Sequence, residues 1–268
     1  MKKLLLAAAG MLLSMGASAQ TWVNVDKLLY VINDTDNTAT LGAPYRCPLS
    51  NYDENGYYDD VVVPSEIQYG GKTYTVTSVM NEAFYLRTPK TISFPETIKT
   101  IGDEVFYGVS SLDKLVIPNS VESIGSGCFY NCRGLKEITL GSGLKTIGGA
   151  RTTATFYNTP LEKMTCLSTV PPTTEGIYTI GNTIRANCVL YVPAGTKAAY
   201  EGQINWSGFK EVVELPAEPG PGVGIEAIDA DSNAAIRYFN LQGIKVNDPA
   251  KGQMLIEVKG ASSRIVKY

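Results

Sequence analysis

The chain has 268 residues, no histidine, and 23 basic against 26 acidic side chains, a net charge of −3. The missing histidine excludes Ser-His-Asp and Cys-His nucleophile systems and removes the commonest transition-metal ligand. Without Lys2 and Lys3 the count is 21 basic against 26 acidic, which argues against nucleic acid, a partner that demands a basic stripe to neutralise phosphates.

Lys2 and Lys3 precede the apolar run Leu4-Leu5-Leu6-Ala7-Ala8-Ala9, and the segment ends Ala17-Ser18-Ala19. A basic start, a short apolar centre and an A-x-A end predict a signal peptide over residues 1–19. That run is too short to span a bilayer, no later stretch is long enough, and no Lys/Arg cluster marks an anionic membrane surface. No cysteine follows the run to carry a lipid. The mature chain is expected to be exported and soluble, without a transmembrane segment.

Residues 20–75 read as an N-terminal β cap. Leu28–Ile32 and Val61–Val63 have strand composition, Asn33-Asp34 and Asn55-Gly56 signal turns, and Tyr69–Tyr74 reads as a hairpin across Gly70-Gly71. Six tyrosines fall here: Tyr45, Tyr52, Tyr57, Tyr58, Tyr69 and Tyr74. Amphipathic rings serve either to pack the cap, the favoured reading, or to contact a glycan or protein. Asp53–Asp60 is acidic enough to suggest calcium but lacks the spacing of an EF-hand loop, so a hairpin turn is favoured.

Residues 76–170 repeat. Ile101-Gly102, Ile124-Gly125 and Ile147-Gly148 recur every 23 residues, with Val79 one 22-residue step earlier. Phe84, Phe106, Phe129 and Phe156 follow them, the last after a short insertion around Arg151–Thr155. A second set holds the same register: Leu112-x-x-Leu115-x-Ile117, Leu135-x-x-Ile138-x-Leu140 and Leu161-x-x-Met164-x-Cys166, with Ile92-x-Phe94 as its earliest copy. Apolar residues alternating in each stretch make a short strand with one inward face. One coil cannot bury such a set alone, whereas stacked coils bury it as a continuous column. The outward positions of these strands then form two columns, Thr91, Lys114, Glu137, Lys163 and Ser93, Val116, Thr139, Thr165. They are the candidate ligand face. Lys114, Glu137 and Lys163 are expected to form an alternating charge ladder, and the columns carry no aromatic anchor.

The stretch Ile117-Pro118-Asn119-Ser120-Val121-x-x-Ile124-Gly125-x-x-x-Phe129 resembles the BspA-like leucine-rich repeats of bacterial and protist surfaces. So does Leu190-Tyr191-Val192-Pro193-Ala194-Gly195-Thr196-Lys197-Ala198-Ala199-Tyr200, followed by Trp206 and Phe209, a segment with which arrays of that family often close. The resemblance implies a leucine-rich-repeat solenoid and adhesion to host or microbial proteins. Ordinary leucine-rich repeats carry a buried Asn ladder where this chain has Thr97, Ser120 and Gly143, so the loop hydrogen bonding must differ.

Residues 171–215 read as the C-terminal cap, with a Pro171-Pro172 turn, a strand near Val189–Val192 and a short helix from Ala198. Residues 216–224, rich in proline and glycine, read as a linker. Residues 225–268 read as a short β tail, with strands over Ile236–Leu241, Ile244–Val246, Met254–Val258 and Arg264–Tyr268. In it Tyr238-Phe239-Asn240-Leu241-Gln242-Gly243-Ile244-Lys245-Val246 and Lys251-Gly252-Gln253-Met254 resemble a shortened type IX secretion sorting domain, with Met254 where that family has Tyr. An export address and a degenerate β module both remain open.

Two matches to S-x-x-K, Ser111–Lys114 and Ser142–Lys145, are weak signals for acyl transfer and are read as strand and turn positions. Of Cys47, Cys128, Cys132, Cys166 and Cys188, Cys128 and Cys166 fall on core positions. Cys128 and Cys132 have metal-like spacing, but no second pair completes a four-ligand site. The expected fold is mainly β: a right-handed leucine-rich-repeat-type solenoid with capping β hairpins and a small C-terminal β module. The expected function is surface adhesion to an extracellular protein of host matrix or microbial surface, with no catalytic residue, metal or cofactor. A glycan-binding accessory role for the tyrosine-rich cap is the alternative, and a carboxylate-based hydrolase the remotest reading.

Overall fold

The computed structural model describes residues 21–26, 28–42, 60–148, 154–176 and 179–216, together with the strands of the tail at 237–239, 245–246, 254–259 and 262–267. The segment 1–19, Cys47, the tyrosines at 45, 52, 57 and 58 and the turn at 53–59 lie outside them. The chain divides into two units, residues 1–216 and 217–268.

The first unit opens with an antiparallel meander, β1 (Thr21–Val25), β2 (Leu28–Asn33) and β3 (Thr38–Leu41). After β4 (Asp60–Val62) comes the hairpin β5 (Glu66–Tyr69) and β6 (Lys72–Val79), turned by Gly70 and Gly71 at φ of 58° and 77°. Only glycine adopts two such angles in succession at little cost. The coils then alternate three- and four-residue strands with two-residue ones. In order these are β7 (Thr91–Ser93), β8 (Thr100–Ile101), β9 (Lys114–Val116), β10 (Ser123–Ile124), β11 (Glu137–Leu140), β12 (Thr146–Ile147), β13 (Lys163–Cys166) and β14 (Thr173–Thr174). The unit closes with α1 (Asn182–Asn187), β15 (Val189–Val192), α2 (Lys197–Glu201) and β16 (Glu211–Glu214).

These strands build a β-solenoid. One sheet runs β1-β2-β3-β6-β8-β10-β12-β14, parallel from β3 onward, so the N-terminal meander prolongs the sheet of the stack and covers its edge. A second, parallel sheet runs β9-β11-β13-β15-β16. Beside β9 lies β7, paired in parallel with β4. Between the sheets the repeat positions are buried: Ile101, Ile124 and Ile147, Ile98, Val121 and Leu144, and Leu115, Ile138 and Met164. Phe84, Phe106, Phe129 and Phe156 form the wall, stacked at 5.5, 5.4 and 4.9 Å between ring centroids. The extra residues between β11 and β13 leave the pairing intact, with Glu137 opposite Lys163.

In Ile101-Gly102 and Ile124-Gly125 the glycine serves close approach more than bending, whereas Gly148 turns the chain with a φ of 94°. A Cβ on Gly125 would lie 2.5 Å from Asp103 N and from Gly102 C, and one on Gly102 would lie 2.7 Å from Asn81 N. Polar turns replace the Asn ladder, as the sequence requires. Thr97 Oγ1 donates to Val76 O, Ser120 Oγ to Ile98 O and Ser168 Oγ to Leu144 O, at 2.7, 2.7 and 3.0 Å. At the next corner Asn81 Oδ1 accepts from Asp103 N–H and Asp103 Oδ1 from Ser126 N–H, both at 2.8 Å. Each coil therefore satisfies the backbone of its neighbour.

The C-terminal end is sealed by aromatic anchors. Trp206 Nε1 donates to Pro172 O at 2.8 Å, Tyr200 OH donates to Ser168 O at 2.7 Å, and the two rings meet edge to face at 5.1 Å. The second unit is a four-stranded antiparallel sheet of β17 (Arg237–Phe239), β18 (Lys245–Val246), β19 (Met254–Lys259) and β20 (Ser262–Lys267), in the order β18-β17-β19-β20.

Candidate functional site

Strand alternation sends Ile92, Leu115, Ile138, Met164 and Leu190 into the core and their neighbours outward. The register brings most of the predicted face together directly. Lys114 stands opposite Glu137, which stands opposite Lys163, and Val116, Thr139 and Thr165 follow one another in the second column. Thr91 and Ser93 lie on β7, where their paired neighbours are Asp60 and Val62 on β4. Thr91 Oγ1 donates to Asp60 Oδ1 at 2.6 Å.

The face is longer than the repeat motif indicates. Parallel pairing carries it through Val189 and Tyr191 on β15 to Glu211 and Val213 on β16. Tyr191 supplies an aromatic ring to columns expected to have none. That expectation stopped at Thr165 because the cap strands β15 and β16 lack the leucine spacing, although they keep the pairing. Two valines add exposed apolar surface, Val62 at 69% and Val116 at 53%.

The expected charge ladder forms by halves. Lys114 Nζ is 3.1 Å from Glu137 Oε1, while Lys163 turns to Tyr191, with Nζ 5.1 Å from the ring centroid. Delocalised ring charge faces the ammonium there, a contact of the cation–π kind. Exposed pairs such as Lys114–Glu137 contribute little to stability.

The two S-x-x-K matches are held apart by other partners. Ser111 Oγ donates to Pro89 O at 2.6 Å while Lys114 faces Glu137. Ser142 shares Asn119 Oδ1, and Lys145 Nζ lies 2.6 Å from Glu122, whose carboxyl this hydrogen bond holds below the usual range. Cys128, Cys132, Cys166 and Cys188 are free, buried thiols. Burial pushes Cys166 up to about 11 and Cys132 and Cys188 up to about 12, so none is poised as a nucleophile near neutral pH. Among the described residues no group of three or more acidic or cysteine side chains is placed to hold a metal ion.

In the N-terminal cap, Tyr74 is buried and its hydroxyl donates to Asp34 Oδ1 at 2.7 Å, which Lys72 Nζ also reaches at 2.7 Å. These two hydrogen bonds, that of Lys72 first, hold the Asp34 carboxyl below its ordinary range. Tyr74 thus packs and ties the β5–β6 hairpin to the β2–β3 turn, while Tyr69 is 37% exposed. A different set of tyrosines is more conspicuous. Tyr85, Tyr107, Tyr130 and Tyr157 stack outside the phenylalanine wall. Their signal is the dipeptide Phe-Tyr at 84–85, 106–107, 129–130 and 156–157, visible once each repeat is read one residue further.

Parallel coils of this period, with a leucine-spaced strand on one side and a phenylalanine wall, define a leucine-rich-repeat solenoid. Residues 67–188 match the family model of the BspA type leucine rich repeat region in six copies, so the coils are similar to repeats of that type. No curated protein matches the chain. Among solved structures, the Treponema pallidum leucine rich repeat protein is similar at a TM-score of 0.50 with 18% identity, covering 72% of this chain and 82% of that one. A leucine-rich repeat protein from Bacteroides ovatus has a TM-score of 0.45 and 23% identity, over 72% of this chain and 40% of that one. One from Bacteroides capillosus has 0.43 and 21%, over 54% and 97%. The likeness to the Treponema protein is one of fold.

Proposed function

We propose that the chain is an exported binding protein that adheres to extracellular protein, of a host matrix or of another microbe, through the outward face of β7, β9, β11, β13 and β15. The observation that carries this reading is the register that lines up Val116, Thr139, Thr165 and Tyr191 beside Lys114, Glu137 and Lys163. It offers a strip with apolar, hydroxyl and charged groups on a scaffold whose backbone is already paired. Binding to such a preformed surface costs little ordering entropy. Repeat solenoids commonly use extended surfaces of this kind. Export rests on the signal-peptide pattern of residues 1–19, and display on the outer surface rests on the sorting-domain resemblance of the tail. No helix among the described residues is long and apolar enough to cross a membrane.

The test is a binding screen of the full chain against extracellular-matrix proteins, followed by Val116→Glu and by Lys114→Trp with Thr139→Trp. Loss of saturable binding in both variants is expected, and binding that survives them overturns the assignment to this face. Protease applied to intact cells should remove the protein if it is displayed outside. Turnover of any substrate by the purified chain would overturn the non-enzymatic reading.

A further inference from the structure

Tyr85, Tyr107, Tyr130 and Tyr157 stand 4.7, 4.8 and 4.8 Å apart between centroids, with successive planes tilted by 9°, 4° and 21°. In such a stack each inner ring has both faces covered, and only an end ring can offer a face to a ligand. Among the described residues Tyr157 is the C-terminal end ring, and it is 55% exposed. Backbone pairing continues past it, because Phe156 N–H donates to Thr179 O at 3.3 Å. That pairing sets Ile180 in line with the phenylalanine wall and Gly181 in line with the tyrosines. A Cβ on Gly181 would meet nothing within 4 Å, so among the described residues no side chain fills the next place in the stack.

A second column stops at the same coil. Asn158 Nδ2 donates to Asn131 Oδ1 at 2.8 Å, one residue along from the stacked rings. The asparagine of the next turn, Asn182, takes a partner of its own, its Oδ1 accepting from the Arg185 guanidinium. Among the described residues, nothing donates to Asn158 Oδ1 beside this end of the tyrosine stack.

We infer that this place binds a sugar ring, a neutral hexopyranose unit of a glycan, with its C–H face on the outer face of Tyr157 and a hydroxyl donating to Asn158 Oδ1. The ring face of tyrosine carries the negative end of the quadrupole and attracts the polarised C–H groups of a pyranose. The amide oxygen is an acceptor only, and a pyranose hydroxyl supplies the donor that a bare aromatic ring lacks. The site lies at the phenylalanine corner of the coil and does not rest on the adhesive role of β9, β11 and β13.

The experiment is saturation-transfer NMR of the full chain with neutral glucan, galactan and mannan oligosaccharides at millimolar concentration. Saturable binding is expected, kept in Tyr157→Phe and weakened about tenfold in Tyr157→Ala, the size of an aromatic stacking contact. Gly181→Tyr is the folding-safe variant, because its Cβ has room and its φ of −62° suits any residue. It should fill the vacant place, abolish binding and leave the Tm no lower. Failure of all three oligosaccharide classes to bind overturns the inference, as does binding that Tyr157→Ala and Gly181→Tyr both leave unchanged.

Discussion

Leu86 occupies the corner filled by Gly108, Asn131 and Asn158 in the following coils, and all four adopt left-handed backbone, at φ of 54°, 71°, 58° and 52°. Asparagine and glycine tolerate that region, whereas a leucine side chain there costs about 1–2 kcal/mol. Leu86 is also 61% exposed, so little apolar burial offsets the strain. Leu86→Asn should therefore stabilise the protein by about 1 kcal/mol in urea unfolding, and a loss of stability would show that its contact over Gly108 outweighs the strain. The opposite change is expected at Gly125. A methyl group in Gly125→Ala would press on the backbone of the preceding coil, and overpacking of this kind costs about 1–3 kcal/mol. The recurrence of Ile-Gly was legible in the sequence, but its reason was not: the pair looks like a bend, and only the stacked neighbour reveals that the space is already filled. Leu86 escaped notice because nothing in the residue name reports its φ.

At the scale of elements, the phenylalanine wall turns separate coils into one column. Phe129 is fully buried and stacks on Phe106 and Phe156. Phe129→Ala would open a cavity at a joint between two coils and should cost about 3–5 kcal/mol, measured by urea unfolding. A cost of only about 0.5 kcal/mol, the size of a surface change, would mean that the coils are held by their hydrogen bonds alone. The strands themselves were readable from the leucine spacing, since β9, β11 and β13 fall where the alternation places them. The columns were readable for the same reason, because a constant period is a constant register. The limit came at the cap. α1 interrupts the 23-residue pattern, so β15 and β16 carry no leucine signature even though they pair on, and Tyr191 was invisible as part of the face. In the tyrosine stack the residues were plain in the sequence, and what was hidden was that Phe and Tyr, adjacent in the chain, point to opposite sides of the same corner.

For the whole molecule, the ionisable groups confine its pH response to the two ends of the scale. Glu122, Asp34 and Glu214 have carboxyls held low, first of all by hydrogen bonds from Lys145, Lys72 and the Lys197 backbone respectively. A depressed carboxyl stabilises the fold above its unfolded value, and this contribution is lost as pH falls through the folded value. The buried thiols act the other way: with folded values raised to about 11 for Cys166 and about 12 for Cys132 and Cys188, their contribution is whole below the ordinary thiol range. It is lost as pH climbs from there to about 12. With no histidine to titrate between them, thermal stability should be level from about pH 6 to 8 and fall on both sides in a series of melts. A marked slope within that plateau would point to a coupled group that these contacts do not contain.

The register has one further consequence. Ile101, Ile124 and Ile147 hold the same place in successive coils, and Ile124 has an isoleucine on either side. Excising residues 102–124 would splice one coil onto the next with every pairing preserved, and duplicating them would do the same. The cross-section of this rod is set by the rings and leucines that fill it. Its length is set by nothing but the number of copies, so reach can be lengthened or shortened by gene duplication or loss without inventing a single new contact.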